Sequence, residues 1–159
     1  MTFRDNIMPI MAILLTLSMP MQTSASGLKT YSANYRAEFN GLEIKATNRI
    51  DELSSGQYRE TFIASNVLGK IVEEALFSIS ADHQIIPQQY SRQQSIMGVT
   101  REESQLFDWP NTQLRYTKKG LTSEIPITVG TLDITTHKLQ LRRDLEAGKE
   151  IFSYPVISR

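Results

Sequence analysis

The stretch from Tyr31 to Ile50, YSANYRAEFNGLEIKATNRI, constrains the fold more than any other part of the chain. Tyr31, Ala33, Tyr35, Ala37 and Phe39 alternate with Ser32, Asn34, Arg36 and Glu38. A period of two marks a half-buried strand, because successive side chains point to opposite faces. Asn40-Gly41 follows, the favoured pair for a two-residue hairpin turn in which both positions take positive φ. Leu42, Ile44, Ala46 and Ile50 then continue the dry face. Asn48 interrupts it, and a bulge or an open strand end would accommodate an amide there. Such a start commits the chain to an antiparallel sheet.

The pattern recurs downstream. LSSGQ makes a turn, and Tyr58, Phe62 and Ala64 form a third dry face, so the first three strands read as a meander. NVLGKIVEE reads as a short helix or an irregular link, since Gly69 argues against a long helix. ALFSIS reads as a strand with Ala75, Phe77 and Ile79 on one side, and ADHQ as a turn. IIPQQYSRQQ gives a further strand, which Pro87 places at an edge or a strand start. ESQLFDWPNTQLRYTKKG reads as a hairpin around Pro110-Asn111, with Phe107 and Trp109 sharing a side, and Leu114 and Tyr116 another. Leu121, Ile125, Ile127 and Val129 follow on one face. A helix is expected in TLDITTHKLQLRRDLEAGK, capped by Asp133 or Thr135, with Leu141 and Leu145 at i, i+4 and Gly148 at its end. Phe152, Tyr154 and Val156 then alternate in a last strand, whose outer edge is guarded only by Pro155 and Arg159. The expected fold is mainly β: a curved antiparallel sheet or open β-barrel with one helix in the C-terminal part.

The N-terminus carries a different signal. Arg4 precedes an apolar stretch from Ile7 to Met21, and Thr23 and Ala25 suit a signal-peptidase site. The stretch is shorter than the about 20 residues that a membrane span needs, and Pro20 breaks its helix near the end. Residues 1–25 are therefore expected to be a cleaved signal peptide, and residues 26–159 a single periplasmic β-rich domain with no stable membrane span. The sequence has no Cys, which excludes disulfides, thiolate chemistry and Cys-ligated metals. Lys+Arg and Asp+Glu both number 17, so the basic excess of a nucleic-acid binder is missing. The doublets Lys118-Lys119 and Arg142-Arg143 read as a solvated turn and a solvated helix face.

Catalytic signals are thin. His83 lies in a turn beside Asp82, and His137 lies on the helix without a second His at i+4. Glu102 and Glu103 are adjacent, so on a strand they face opposite ways and cannot pair. No nucleophile elbow, phosphate loop or dinucleotide fingerprint is present. No enzyme activity, cofactor or metal is expected. What remains is an aromatic and aliphatic set: Tyr31, Tyr35, Phe39, Ile44, Phe62 and Phe77, sharing one side of the sheet. Plain core packing accounts for such a set. The functional alternative is a ligand-binding surface, because one helix is a small plug for a sheet of seven or more strands. The leading expectation is a binding or carrier protein for an apolar or amphipathic, lipid-like ligand. The rival is a cell-envelope interaction or assembly protein that recruits partners at exposed sheet edges.

YSANYRAEFNGLEI, QIIPQQYSRQ, LFDWPN and LDITTHKLQLRRDLEAGKEIFSYPV, in that order, resemble a bacterial family of exported proteins, domain of unknown function three-one-zero-eight. The resemblance runs from about Tyr31 to Val156 and rests on motif order rather than on a catalytic signature. It implies a periplasmic, β-rich protein and supplies no activity and no catalytic residues. It also implies more β-structure beyond the position of Val156, so the domain is expected to be shorter than its relatives. Export has a direct check. Protein recovered from the envelope should begin near Ser26, whereas full-length protein starting at Met1 in the cytosol would rule out the signal peptide.

Overall fold

The computed structural model describes residues 27–54 and 56–157; the expected signal peptide, Ser26 and Arg159 lie outside the described residues. Eight strands follow one another: β1 (Tyr31–Phe39), β2 (Leu42–Ser54), β3 (Gln57–Asn66), β4 (Gly69–Ile79), β5 (Ile85–Ile96), β6 (Val99–Asp108), β7 (Gln113–Lys118) and β8 (Leu121–Pro126). Each pairs antiparallel with the next, in the order of the chain, and among the described residues β1 and β8 have no second strand beside them. The sheet is curved and open, as the alternation implies. A short β9 (Leu132–Asp133) leads into helix α1 (Ile134–Glu146), and β10 (Val156–Ile157) returns to pair parallel with β9. Among the described residues no helix is long and apolar enough to cross a membrane.

Local chemistry sets these connections. Asn40 and Gly41 both have positive φ (51° and 75°), as do Met97-Gly98 (48° and 81°) and Lys119-Gly120 (53° and 76°). Pairs of this kind match the twist of the strands that they join. NVLGKIVEE is neither helix nor link: it holds the β3–β4 turn and the first half of β4. Gly69 is there for space, since a Cβ would lie 2.2 Å from the Ser95 carbonyl oxygen of β5.

Pro87 falls at a strand start, one of the two places expected for it: it is the third residue of β5, ahead of Gln89, where pairing with β6 begins. It lies in β5, an interior strand between β4 and β6. The register shifts at this point, with Leu76 opposite Gln89 and Phe77 opposite Pro87, so Gln88 is unpaired. A bulge tolerates a residue without an N–H, which is why proline survives inside the sheet. Asn48, by contrast, needs no bulge. It stays in regular register between Ala33 and Phe62, and its Nδ2 donates to the Tyr31 hydroxyl at 3.2 Å.

The helix is capped at both ends. Asp133 Oδ1 accepts from the Thr135 and Thr136 amides at 2.8 and 2.9 Å, and Thr136 Oγ1 accepts from the Asp133 amide at 3.1 Å, closing a capping box. At the other end Lys149 N–H donates to the Asp144 carbonyl and Gly148 N–H to the Leu145 carbonyl. This is a Schellman motif with Gly148 at φ 77°. The face that α1 buries is not the expected Leu141–Leu145 stripe. It is Thr135, Thr136, Leu139, Gln140 and Asp144, while Leu145 is exposed.

Leu139 enters the main core with Ile50, Tyr58, Ala75, Phe77, Ile85 and Tyr90. A second cluster gathers Phe107, Leu114 and Ile127, with Trp109 and Ile157 against it. Trp109 stacks on Phe107 (ring centroids 5.5 Å apart) and donates to the Pro87 carbonyl at 2.7 Å.

Gln140 and Asp144 tie the helix to the rest. Gln140 Oε1 accepts the Ile85 amide at 2.7 Å, and its Nε2 donates to Asp144 Oδ1 at 3.0 Å. Lys149 Nζ (2.7 Å) and the Tyr154 hydroxyl also donate to Asp144. The expected last strand over Phe152, Tyr154 and Val156 is therefore corrected: only Val156–Ile157 is a strand, it joins β9 rather than the large sheet, and Tyr154 serves Asp144. Burial opposes the charge on Asp144, yet the hydrogen bonds from Lys149, Tyr154 and Gln140 outweigh it and hold the carboxyl below its ordinary range.

Asp144→Ala should lower stability by about 2–3 kcal/mol near neutral pH, because it leaves the buried Gln140 amide without its acceptor and removes the bonds from Lys149 and Tyr154. A depressed folded pKa stabilises above the unfolded value of about 3.9 and ceases to do so as pH falls through the folded value. The gap between wild type and variant in thermal melts should therefore narrow below about pH 4.

Candidate functional site

The register places one side chain from each strand in rows across the sheet. One row on the helix-bearing face runs Ile50, Glu60, Ala75, Tyr90, Gln105, Tyr116. The next, about 7 Å further along the strands, runs Asn48, Phe62, Glu73, Arg92, Glu103, Lys118. A third runs Ala46, Ala64, Ile71, Gln94, Arg101. The face thus divides into three bands. The helix covers the first part, a polar seam crosses the middle, and an open band lies beyond.

The seam alternates in charge from β4 to β7. Arg92 Nε stands 3.4 Å from Glu73 Oε1, an ion pair without hydrogen-bond geometry. Glu103 Oε2 accepts from Lys118 Nζ at 3.2 Å and from the Tyr116 hydroxyl at 3.3 Å. The hydrogen bond to Glu103 raises the Lys118 pKa. Opposite charges on neighbouring strands favour this register, and like charges there would oppose it.

On the core side of the seam, Glu60 of the first row and Asn48 of the seam form an undersatisfied polar corner. Glu60 is only 8% exposed, and burial raises its pKa. Glu60 Oε2 and Asn48 Oδ1 are buried acceptors without a donor among the described residues. Burial favours the neutral form of Glu60, whose O–H is a donor at this corner, against a hydrogen bond from Asn48 that favours the charged form. Burial also raises the Tyr31 pKa, with the charge of Glu60 next in effect.

Of the six residues expected at a binding surface, all lie on this one face by register, but they do not converge. Phe77 is fully buried and stacks on Tyr58 (centroids 5.8 Å apart), and Tyr31 packs against the same core cluster. Phe62 sits in the seam opposite Asn48 and Glu73. Tyr35, Phe39 and Ile44 belong to the open band, where Tyr35 is 54% and Phe39 67% exposed. Ile44 alone of the six lines a cavity of about 280 Å³, together with Ala64, Leu68, Ile71 and Ile96. A larger cleft, about 1000 Å³, is lined chiefly from the opposite face by Val72, Glu74, Ser91, Gln93 and Ser104, and holds none of the six.

Sequence reasoning passed over the seam. Glu60 shares its phase with Tyr58 and Phe62, Glu73 with Ala75 and Phe77, Arg92 with Tyr90, Glu103 with Phe107, and Lys118 with Leu114 and Tyr116. Each is a polar residue in the dry phase of its strand, and that violation was the available signal. Both histidines stay apart from it: His83 is an exposed turn residue at φ 63°, and His137 packs edge-on against Tyr154. Among the described residues no group of His, Asp and Glu is arranged to hold a metal. Glu102 and Glu103 do part, Glu102 bonding Gln93 on the opposite face.

No protein-family model, curated protein or solved structure matches the chain.

Glu60→Gln should raise the melting temperature at pH 7. A raised folded pKa contributes stability below the unfolded value of about 4.3 and loses it as pH rises through the folded value. Gln escapes that loss and brings an N–H₂ donor. The advantage should fade as pH drops towards about 4, and a pH-independent effect would contradict the assignment.

Proposed function

We propose that this chain is a non-enzymatic binding or carrier protein that takes an amphipathic, lipid-like guest on the open band of its helix-bearing face, acting in the periplasm. The observation that carries this is a contiguous apolar surface in the dry phase of β1–β5 and beyond the helix. It comprises the exposed Tyr35 and Phe39 and the cavity lined by Ile44, Ala64, Leu68, Ile71 and Ile96. Single exposed apolar residues need no explanation, whereas a joined patch beside polar groups marks a binding surface. At about 280 Å³ the cavity is at the small end of ligand sites and suits one flexible chain. Each Å² of apolar surface that the guest covers contributes about 25 cal/mol. The seam supplies the polar boundary that an amphipathic molecule needs.

A second reading, an envelope interaction module, is supported by the outer backbone edge of β1, nine residues long, without proline, and paired with no strand among the described residues.

Ala64→Trp tests the first reading. Ala64 is half-buried on the open band, so an indole there fills the cavity without removing a core side chain. A fluorescent fatty-acid probe should bind the wild type and bind Ala64→Trp at least about tenfold more weakly, with the melting temperature little changed. If the wild type binds no apolar probe, the carrier reading fails and the edge-recruitment reading gains.

A further inference from the structure

We infer that the head of the guest is an oxyanion, and that Arg101 is the side chain that reads it. This rests on the proposed binding of an amphipathic guest and adds the chemistry of its polar end.

The open band changes character along a single row. Ala64 on β3 pairs with Ile71 on β4, Ile71 with Gln94 on β5, and Gln94 with Arg101 on β6. The apolar cavity includes Ala64 and Ile71. A second, smaller cavity of about 120 Å³ includes Gln94 and Arg101, with Arg92, Lys118 and Lys119 beside them. The two are therefore neighbours on one face, one strand spacing apart at Ile71 and Gln94, about 4.8 Å. A chain lying across β2–β4 delivers its end group to β5 and β6.

Charge decides what that end group is. The smaller cavity is lined by four cations, Arg92, Arg101, Lys118 and Lys119, against two carboxylates, Glu102 and Glu103. Arg92 is committed to Glu73 and Lys118 to Glu103. Glu102 accepts from Gln93. Among the described residues Arg101 and Lys119 form no ion pair, and the one carboxylate of the lining without a cation is Glu102, which bonds Gln93 on the opposite face, so two unpaired cations stand against one carboxylate and the lining keeps a positive excess. An ammonium head would meet net repulsion here. A carboxylate or phosphate head meets a guanidinium whose planar fork can donate two hydrogen bonds at once, and the amide of Gln94 lies between that fork and the apolar cavity. Arg101 is exposed and forms no ion pair among the described residues, so its donors are not spent on the fold.

The test compares amphipaths of one chain length and different heads: a carboxylate, a phosphate monoester, an uncharged alcohol and an amine, with acetate and inorganic phosphate as controls lacking a tail. Affinities come from displacement of a fluorescent probe at low and high salt. The carboxylate or the phosphate monoester should bind about tenfold more tightly than the alcohol, and added salt should erode that difference by screening. Whichever of the two binds better identifies the source of the oxyanion. Arg101→Glu should abolish the preference for the anionic head and favour the amine, while Arg101→Lys keeps part of it. The folded state of each variant is checked by its melting temperature, which an exposed side chain should leave nearly unchanged. If alcohol and anion bind alike and both are lost in Ala64→Trp, the head assignment is wrong and the guest reading stands. If acetate or phosphate alone binds as tightly as the amphipaths, the site serves a free anion and the tail has no part in it. If no amphipath binds, both readings fall.

Discussion

A helix of thirteen residues is about 20 Å long, whereas eight strands at a spacing of about 4.8 Å span about 34 Å. One such helix cannot cover one face of such a sheet. The chain resolves the mismatch by placing α1 over the Ile50–Tyr90 region, where Leu139 completes the main core. Everything beyond its reach has to be made compatible with water or with a guest. The polar seam and the open band both follow from that shortage of cover.

Two buried polar side chains hold the helix in place. Gln140 takes the amide of Ile85, and Asp144 gathers Gln140, Lys149 and Tyr154. These contacts have direction, which apolar packing lacks, so they set the position of the helix as well as its affinity for the sheet. The same hub draws in the segment after the helix, and β10 then closes on β9. Position matters because it decides which rows stay open.

The seam separates two apolar regions that would otherwise merge. Its cross-strand pairs are partly exposed, and each contributes modestly to stability. Their larger effect is on register, since a slip of one residue would move every carboxylate and cation to the other face. Glu60, one row nearer the core, is the costly neighbour: it is buried, its Oε2 has no donor among the described residues, and burial opposes its charge.

Much of this was legible from residue order alone. Alternation from Tyr31 to Phe39, the Asn40-Gly41 turn, the Phe107–Trp109 arm and the Asp133 cap are all local, and local chemistry decides strands, turns and caps without help from distant contacts. The identity of β4, the bulge beside Pro87 and the buried face of α1 were not legible. Gly69 makes sense only against the Ser95 carbonyl, Pro87 only beside the bulge at Gln88, and Gln140 only opposite the Ile85 amide. The candidate site divides in the same way. Sequence alone determined which side chains share a face, because a period of two assigns faces strand by strand. Only the tertiary structure decided which of them are covered. It sent Phe77 into the core and Tyr31 against its side, left Tyr35 and Phe39 in the open, and brought Glu73, Arg92, Glu103 and Lys118 into one line. Cover and alignment depend on register and on where one short helix lands, and neither is written in any single strand.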